Sequence, residues 1–287
     1  MRRGGVIVVA ALLACGATQA SAQVVGDVSI DEAGATETGQ GRSNAIIGLG
    51  VGLGPDYEGS EDYEIGIVPF GRFSYQEYSQ YLSFGPDPGS RTYQMRLNVL
   101  PYEGFEMGPM LDFRRGRKSV ENNRVDDMSN IDNAWEVGGF TRYWIPLSKD
   151  ESRPALSLEL SGAADVSGAY DGWWIQPGIG YRVNVAPAVA LTTRVFADYA
   201  NSDYMDEYFG VSASNSTRSG LRQYDADAGF KDAGATLGVT WFFAKQWFAG
   251  AAGAYKRMVG DAGSSPVTRN EGNKNQGSGA VFVGYRF

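Results

Sequence analysis

The sequence predicts an all-β fold, a closed antiparallel transmembrane β-barrel of about twelve strands, with short turns at one end and long loops at the other. Three observations carry this expectation. Apolar and polar residues alternate with period two in segment after segment, charged residues keep to one face of those segments, and the connections between them alternate in length. Successive side chains of a strand point to opposite faces, so period two over nine or more residues marks half-buried strands rather than helices.

Taken in order, segment 45–53 places Ile47, Leu49, Val51 and Leu53 on one face. Segments 63–75, 78–84 and 93–99 follow, and only 78–84 leaves its outward face ambiguous. In 105–114, Phe105, Met107, Leu111 and Phe113 oppose Glu106, Asp112 and Arg114. In 133–145, Trp135, Val137, Tyr143 and Ile145 oppose Glu136 and Arg142. Segments 155–166 and 173–185 carry Glu159, Asp165 and Arg182, and 189–199 sets Val189, Leu191 and Val195 against Arg194 and Asp198. Segments 233–243, 247–256 and 277–287 complete the set. With the outward face fixed by the large apolar residues, no charge falls on it and fifteen fall on the other, the remaining five being Glu64, Arg72, Arg96, Lys256 and Arg286.

A bilayer demands this separation. A Lys or Arg facing lipid at mid-membrane costs ~2–4 kcal/mol, and a lumen-facing one does not. Aromatics recur eight residues apart, as in Trp135 and Tyr143, Trp173 and Tyr181, or Trp247 and Tyr255. At ~3.3 Å per residue and ~40° tilt this spans roughly 20 Å, near the separation of two interfacial girdles. The connections 115–132, 200–232 and 257–276 are long, whereas 76–77, 186–188 and 244–246 are two or three residues. Even strand number puts both ends of the barrel on one side, by convention periplasmic, and the long loops outside. The last strand, with Val283, Tyr285 and terminal Phe287 on one face, resembles the assembly signal that barrel-assembly machinery reads in bacterial outer-membrane proteins.

At the start, Arg2 and Arg3, the apolar run 6–14 and Ala20-Ser21-Ala22 read as a secretory signal peptide, residues 1–22, cleaved between Ala22 and Gln23. A lipid-modification reading at Cys15 is weaker because Leu13 is bulky. Beyond the signal no 18-residue apolar run exists, so no transmembrane helix is expected. Residues 23–43 read as a flexible periplasmic tail and 44–287 as the barrel. Removing the signal leaves 23 basic against 33 acidic residues, a net charge of −10 that disfavours a nucleic-acid partner. The chain has no histidine, which removes Ser-His-Asp and Cys-His catalysis and histidine-ligated metals together.

The stretches GLGVGLGPDYEGSEDYEIGIVPFGRF (48–73), IDNAWEVGGFTRYWI (131–145), DYMDEYFGVSASNSTRSGLRQYDADAGFKDAG (203–234) and 237–270, with the closing GYRF, resemble the MipA/OmpV family of Gram-negative outer-membrane proteins. The resemblance covers about 44–287. It implies a scaffold role, since the founding member is described as an MltA-interacting protein bridging a lytic transglycosylase and a penicillin-binding protein; relatives are known as surface antigens or adhesin-like proteins. It carries no catalytic residue set, so no enzyme activity and no cofactor are expected. The other expected partners are outer-membrane lipid and lipopolysaccharide.

The residues leave alternatives open. Asp56 with Glu58, Glu61 with Asp62, and Asp206 with Glu207 are acid pairs of the type used in glycoside hydrolysis. On so acidic a chain, solvated surface loops are the favoured reading. The inward charges, eight basic (Arg72, Arg96, Arg114, Arg142, Arg182, Arg194, Lys256, Arg286) to seven acidic, are expected to pair and fill the interior; a charge-lined pore is the rival. In loop 203–232, Tyr204, Tyr208, Phe209, Leu221, Tyr224 and Phe230 favour a plug over the mouth against an exposed contact surface. Pro69, Pro109 and Pro177 lie inside strands and require an interruption of pairing there.

Overall fold

The computed structural model describes residues 45–75, 80–87, 91–102, 104–149 and 153–287; the expected signal peptide, its cleavage at Ala22 and the tail lie outside them. Twelve strands form one closed sheet: β1 (Ala45–Pro55), β2 (Tyr63–Tyr75), β3 (Gln80–Pro86), β4 (Thr92–Asn98), β5 (Phe105–Arg114), β6 (Ala134–Pro146), β7 (Ala155–Asp165), β8 (Trp173–Ala186), β9 (Val189–Ala200), β10 (Gly229–Trp241), β11 (Trp247–Met258) and β12 (Asn275–Arg286). Each pairs antiparallel with its sequence neighbours, and β12 returns to β1 from Ile46↔Arg286 to Leu53↔Gly279. Closure leaves no strand edge, the condition that hydrocarbon imposes on a sheet. Five short helices, α1 (Asn123–Asp126), α2 (Ser202–Phe209), α3 (Ala213–Ser219), α4 (Gly260–Ser264) and α5 (Pro266–Arg269), all lie on the long connections. Among the described residues no helix is long and apolar enough to cross a membrane.

Burial runs opposite to that of a water-soluble protein. Leu49 is 53% exposed and Val281 62%, whereas Asp112 and Glu136 are at 0%. None of the fifteen strand charges is exposed. Outward aromatics gather at both rims. Trp135 on Phe113 (5.0 Å between centroids), Trp173 on Tyr199 (5.9 Å) and Tyr199 on Phe230 (5.5 Å) mark the long-loop rim. Tyr143 on Phe105 (6.3 Å) and Trp247 on Tyr285 (5.0 Å) mark the short-turn rim, where Val283 also faces outward and Phe287 stacks on Tyr285 at 4.9 Å.

Among the described residues, strand ends fall within two residues of expectation except at the start of β10. β3 runs on to Pro86 rather than ending at 84, because its ladder with β4 continues to Pro86↔Tyr93; residues 78–79 of the expected segment lie outside the described residues. β10 begins at Gly229 rather than 233: a bulge between Phe230 and Asp232 breaks the alternation and turns both Lys231 and Asp232 inward. Phe230 is therefore a girdle residue, 53% exposed, and not an anchor of the loop.

Each in-strand proline sits where one of its two ladders is interrupted. β2 pairs with β3 only from Gly71 on, and Tyr93 Oη donates to the free Ile67 carbonyl at 2.9 Å. Residues two apart on a strand point their N–H groups toward the same neighbour, so the nitrogen of Pro69 faces that gap. Pro109 follows the last β4–β5 pair, Arg96↔Met110, and Pro177 falls in the β8–β9 gap between Ile175 and Gly178.

On the β11–β12–β1–β2 side the interior is apolar, with Ile46, Val68, Phe70, Phe248 and Phe282 packed together. Phe70 meets Phe282 edge-on at 5.5 Å, and the tips of the Phe70, Phe248 and Phe282 rings sit at glycines of adjacent strands. A Cβ on Gly48 would stand 2.1 Å from Phe70 Cζ, and one on Gly284 2.1 Å from Phe248 Cζ. Gly284→Ala is expected to displace the Phe248 ring and cost about 1–3 kcal/mol as an overpacked core does, read as a lower denaturant midpoint in detergent or liposomes. An unchanged midpoint would show that the ring moves freely.

Candidate functional site

The rest of the lumen is charged, chiefly from β3 through β10 with Arg72 of β2 and Lys256 of β11 at its borders, and most of its charges are paired. At the long-loop end, Asn201 caps α2 and also accepts from Trp173 N at 2.8 Å, fixing the helix over the mouth. One face of α2 then delivers Tyr204, Met205, Tyr208 and Phe209 into the opening, all buried. Tyr204 and Tyr208 pack on each other at a tilt (4.6 Å) and both meet Tyr170 edge-on (5.1 and 5.6 Å). Ser265 Oγ donates to the Phe209 carbonyl at 2.5 Å, tying the end of the helix to α5. Tyr224 is half-buried at the rim; its hydroxyl contacts Asp261 Oδ1 at 3.1 Å, and burial together with Asp261 pushes its pKa up to about 12.

Glu58 descends from the β1–β2 loop to meet this helix. Its Oε1 accepts from Lys231 Nζ (2.5 Å) and Lys256 Nζ (3.1 Å), and its Oε2 from Tyr204 Oη (2.7 Å). Both lysines also pair with Asp232, at 2.8 and 3.1 Å. Burial raises the Glu58 pKa, but Lys231, Lys256 and Arg114 outweigh it and hold the carboxyl well below the usual range. Tyr204 in turn accepts from Arg114 Nη1 at 3.0 Å. Arg114 is paired with Glu136 through two nitrogens, and Glu136 further accepts from Tyr170 Oη (2.8 Å) and Trp174 Nε1 (2.7 Å).

Deeper in the barrel, Asp198 accepts from Gln176 Nε2 at 2.7 Å, and the Gln176 carbonyl accepts from Arg194. Arg194 reaches Glu159 at 3.0 Å, and Arg142 bridges Glu159 (3.3 Å) and Glu106 (3.4 Å). Glu106 closes the chain by accepting from Tyr81 Oη (2.8 Å) and Trp144 Nε1 (3.2 Å). Three further arginines lie over rings: Arg72 on Tyr81 (3.5 Å), Arg182 on Trp144 (3.9 Å) and Arg96 on Phe140 (5.3 Å). Asp112 receives Gln94 Nε2 at 3.3 Å.

Sequence reasoning missed Lys231, Asp232, Tyr170, Trp174 and Gln176, and it took Glu58 for a surface acid. The reading of 54–62 as a solvated acidic loop fails at Glu58 and Asp56, both buried. Lysines from β10 and β11 draw Glu58 inward, and Asp56 Oδ2 accepts from Glu121 N at 3.0 Å. Two acids in one loop thus have separate partners and form no acid–base pair. No group of three or more acids, His or Cys stands ready for a metal among the described residues.

Glu58→Gln removes one partner from two buried lysines and is expected to cost about 3 kcal/mol, a typical loss for a broken buried ion pair. Because the folded pKa of Glu58 is depressed, its contribution is complete above the unfolded value of about 4.3 and is lost as pH falls through the folded one. The stability gap between wild type and Glu58→Gln should hold from about pH 7 to 5 and narrow only under more acidic conditions. A gap that closes near neutral pH would contradict the assignment.

The family model described as "MltA-interacting protein MipA" matches residues 47–287. No curated protein matches the chain. Among solved structures, the outer-membrane protein Omp33 of Acinetobacter baumannii is 12% identical, with 85% of this chain and 98% of that one covered at a TM-score of 0.38. The NanC porin is 8% identical over 85% and 100% at 0.46, and OmpT of Vibrio cholerae 9% identical over 88% and 99% at 0.37. The lipid-facing belt, the closed twelve-strand sheet and a family match over nearly all of the described residues lead to one assignment: the chain belongs to the MipA family and is an outer-membrane β-barrel.

Proposed function

We propose that this barrel works without catalysis, as a scaffold that holds murein-remodelling enzymes at the periplasmic side of the outer membrane. The observation that carries the reading is the occupied lumen. Glu58, Tyr204, Arg114 and Glu136 join the β1–β2 loop, α2, β5 and β6 in one network across the mouth, and the charges below are engaged with one another. A wall whose charges are neutralised by each other offers little to a passing solute, while a barrel braced from inside serves well as a rigid anchor. The family's description as MltA-interacting supplies the class of partner, a lytic transglycosylase, with a penicillin-binding protein as the second enzyme of such an assembly.

In this reading the long loops face outward and the short turns face the murein. Arg124 binds Glu271 (2.6 Å) and the carbonyls of Ser219 (3.0 Å) and Gly220 (2.6 Å), linking three long connections into a single cap.

The purified protein in planar bilayers is expected to stay silent, without stable single-channel steps, while its folded state is verified by heat-modifiable migration. Reproducible steps would favour a narrow pore instead. Immobilised full-length protein should capture an MltA-type lytic transglycosylase from detergent extracts, and removal of 23–43 should weaken that capture. A loss of surface adhesion on excising α3 (Ala213–Ser219), with heat-modifiable migration retained and transglycosylase capture absent throughout, would favour an adhesin.

A further inference from the structure

Beside the plug lies a pocket that the interior network does not consume. The β1–β2 loop supplies Tyr57, the β3–β4 connection Arg91, the segment after β5 Arg115 and Arg117, and α2 Tyr208. Glu58 and Arg114 also touch it, but Lys231, Lys256 and Glu136 already satisfy them. Of the other three arginines, two share one carboxylate: Glu64 Oε1 accepts from Arg91 at 3.3 Å and from Arg115 at 2.7 Å. Arg117 Nη1 donates to the Tyr208 carbonyl at 3.0 Å, and Arg91 Nη1 to that of Gly116 at 3.1 Å. Asp56 and Glu207 act on Arg91 and Arg117 through space, without an ion pair.

Three donors of this pocket are left over. Nε of Arg91, Nε of Arg117 and the Tyr208 hydroxyl are all buried and lack a hydrogen-bond partner. Native structures satisfy nearly all buried donors, so three in one pocket, two of them on cations, call for an acceptor that the chain does not provide. Burial and the adjacent Arg115 lower the Arg91 pKa to about 10, and burial lowers that of Arg117, the signature of cations short of negative charge. The space among these side chains is partly open rather than sealed, so a charged end group can reach the three donors without being wholly enclosed.

We propose that this pocket binds a single oxyanion group, phosphate or carboxylate, presented at the long-loop face of the barrel. Arginine forks match the oxygens of such groups, and the Tyr208 hydroxyl adds a neutral donor. The site stands apart from the scaffold reading, and its failure would leave transglycosylase capture untouched.

Isothermal titration of the full-length protein in micelles with inorganic phosphate and, separately, acetate tests it. At least one is expected to bind saturably at one site. Arg117→Gln should weaken that binding by about tenfold or more, Arg117→Lys should retain part of it, and the exposed-loop variant Arg222→Gln should leave it unchanged. Heat-modifiable migration of each variant separates lost binding from lost folding. Repeating the titration in nanodiscs with and without lipopolysaccharide identifies the source: binding abolished by lipopolysaccharide assigns the site to a lipid-borne phosphate, and binding retained assigns it to a free anion. Folded wild type that binds neither probe, or folded Arg117→Gln that binds as wild type does, overturns the proposal.

Discussion

Hydrocarbon offers no hydrogen bonds, and everything else in this barrel answers to that. Each backbone N–H and C=O in the membrane must find its partner inside the sheet, which a strand can do only if the sheet has no edge. The β12–β1 ladder is therefore as necessary as any hairpin, although it joins the two ends of the sequence. The same medium sorts the side chains: Leu49, Val137, Ile175 and Val281 face out, and the fifteen expected strand charges are turned from the surface, whereas Arg257 is exposed only at the long-loop end of β11. Prolines are admitted only where a ladder is already interrupted, as at Pro69 beside the gap that Tyr93 covers.

Turning charge inward solves the lipid problem and creates another, because buried ions are costly unless they meet opposite charge and donors. The lumen meets that need with a chain of pairs running from Glu58 to Glu106. Its members come from strands far apart in sequence, and α2 and the β1–β2 loop enter as extra partners. The bulge at Phe230 and Asp232 is what brings Lys231 and Asp232 to the same side, so that one carboxylate and one ammonium share the post opposite Glu58. The apolar half of the lumen uses a different device, with Phe70 and Phe248 covering Gly48 and Gly284.

The strands were legible in the sequence because the bilayer writes a period-two code that Ile47, Leu49, Val51 and Leu53 display without reference to their neighbours. The rule failed at β10, where the bulge shifts the period by one residue. The aromatics of 203–232 signalled a buried segment, and Tyr204, Tyr208 and Phe209 are indeed buried. Glu58 was illegible. Its local sequence is that of a solvated acidic loop, and only tertiary structure brings it against Lys231 and Lys256. Pairings such as Arg194 with Glu159, or Arg91 with Glu64, are likewise properties of register and loop convergence, which composition does not encode.

The central claim is that lipid wets the outer face and that charges are tolerated only inside. Arginine substitution along the belt tests it most directly, with Leu49, Val137 and Val281 replaced one at a time and folding free energy measured in lipid vesicles. The account predicts a cost of about 2–4 kcal/mol for positions near mid-bilayer and a smaller cost toward either rim. Costs near zero at mid-belt, or no dependence on depth, would contradict it.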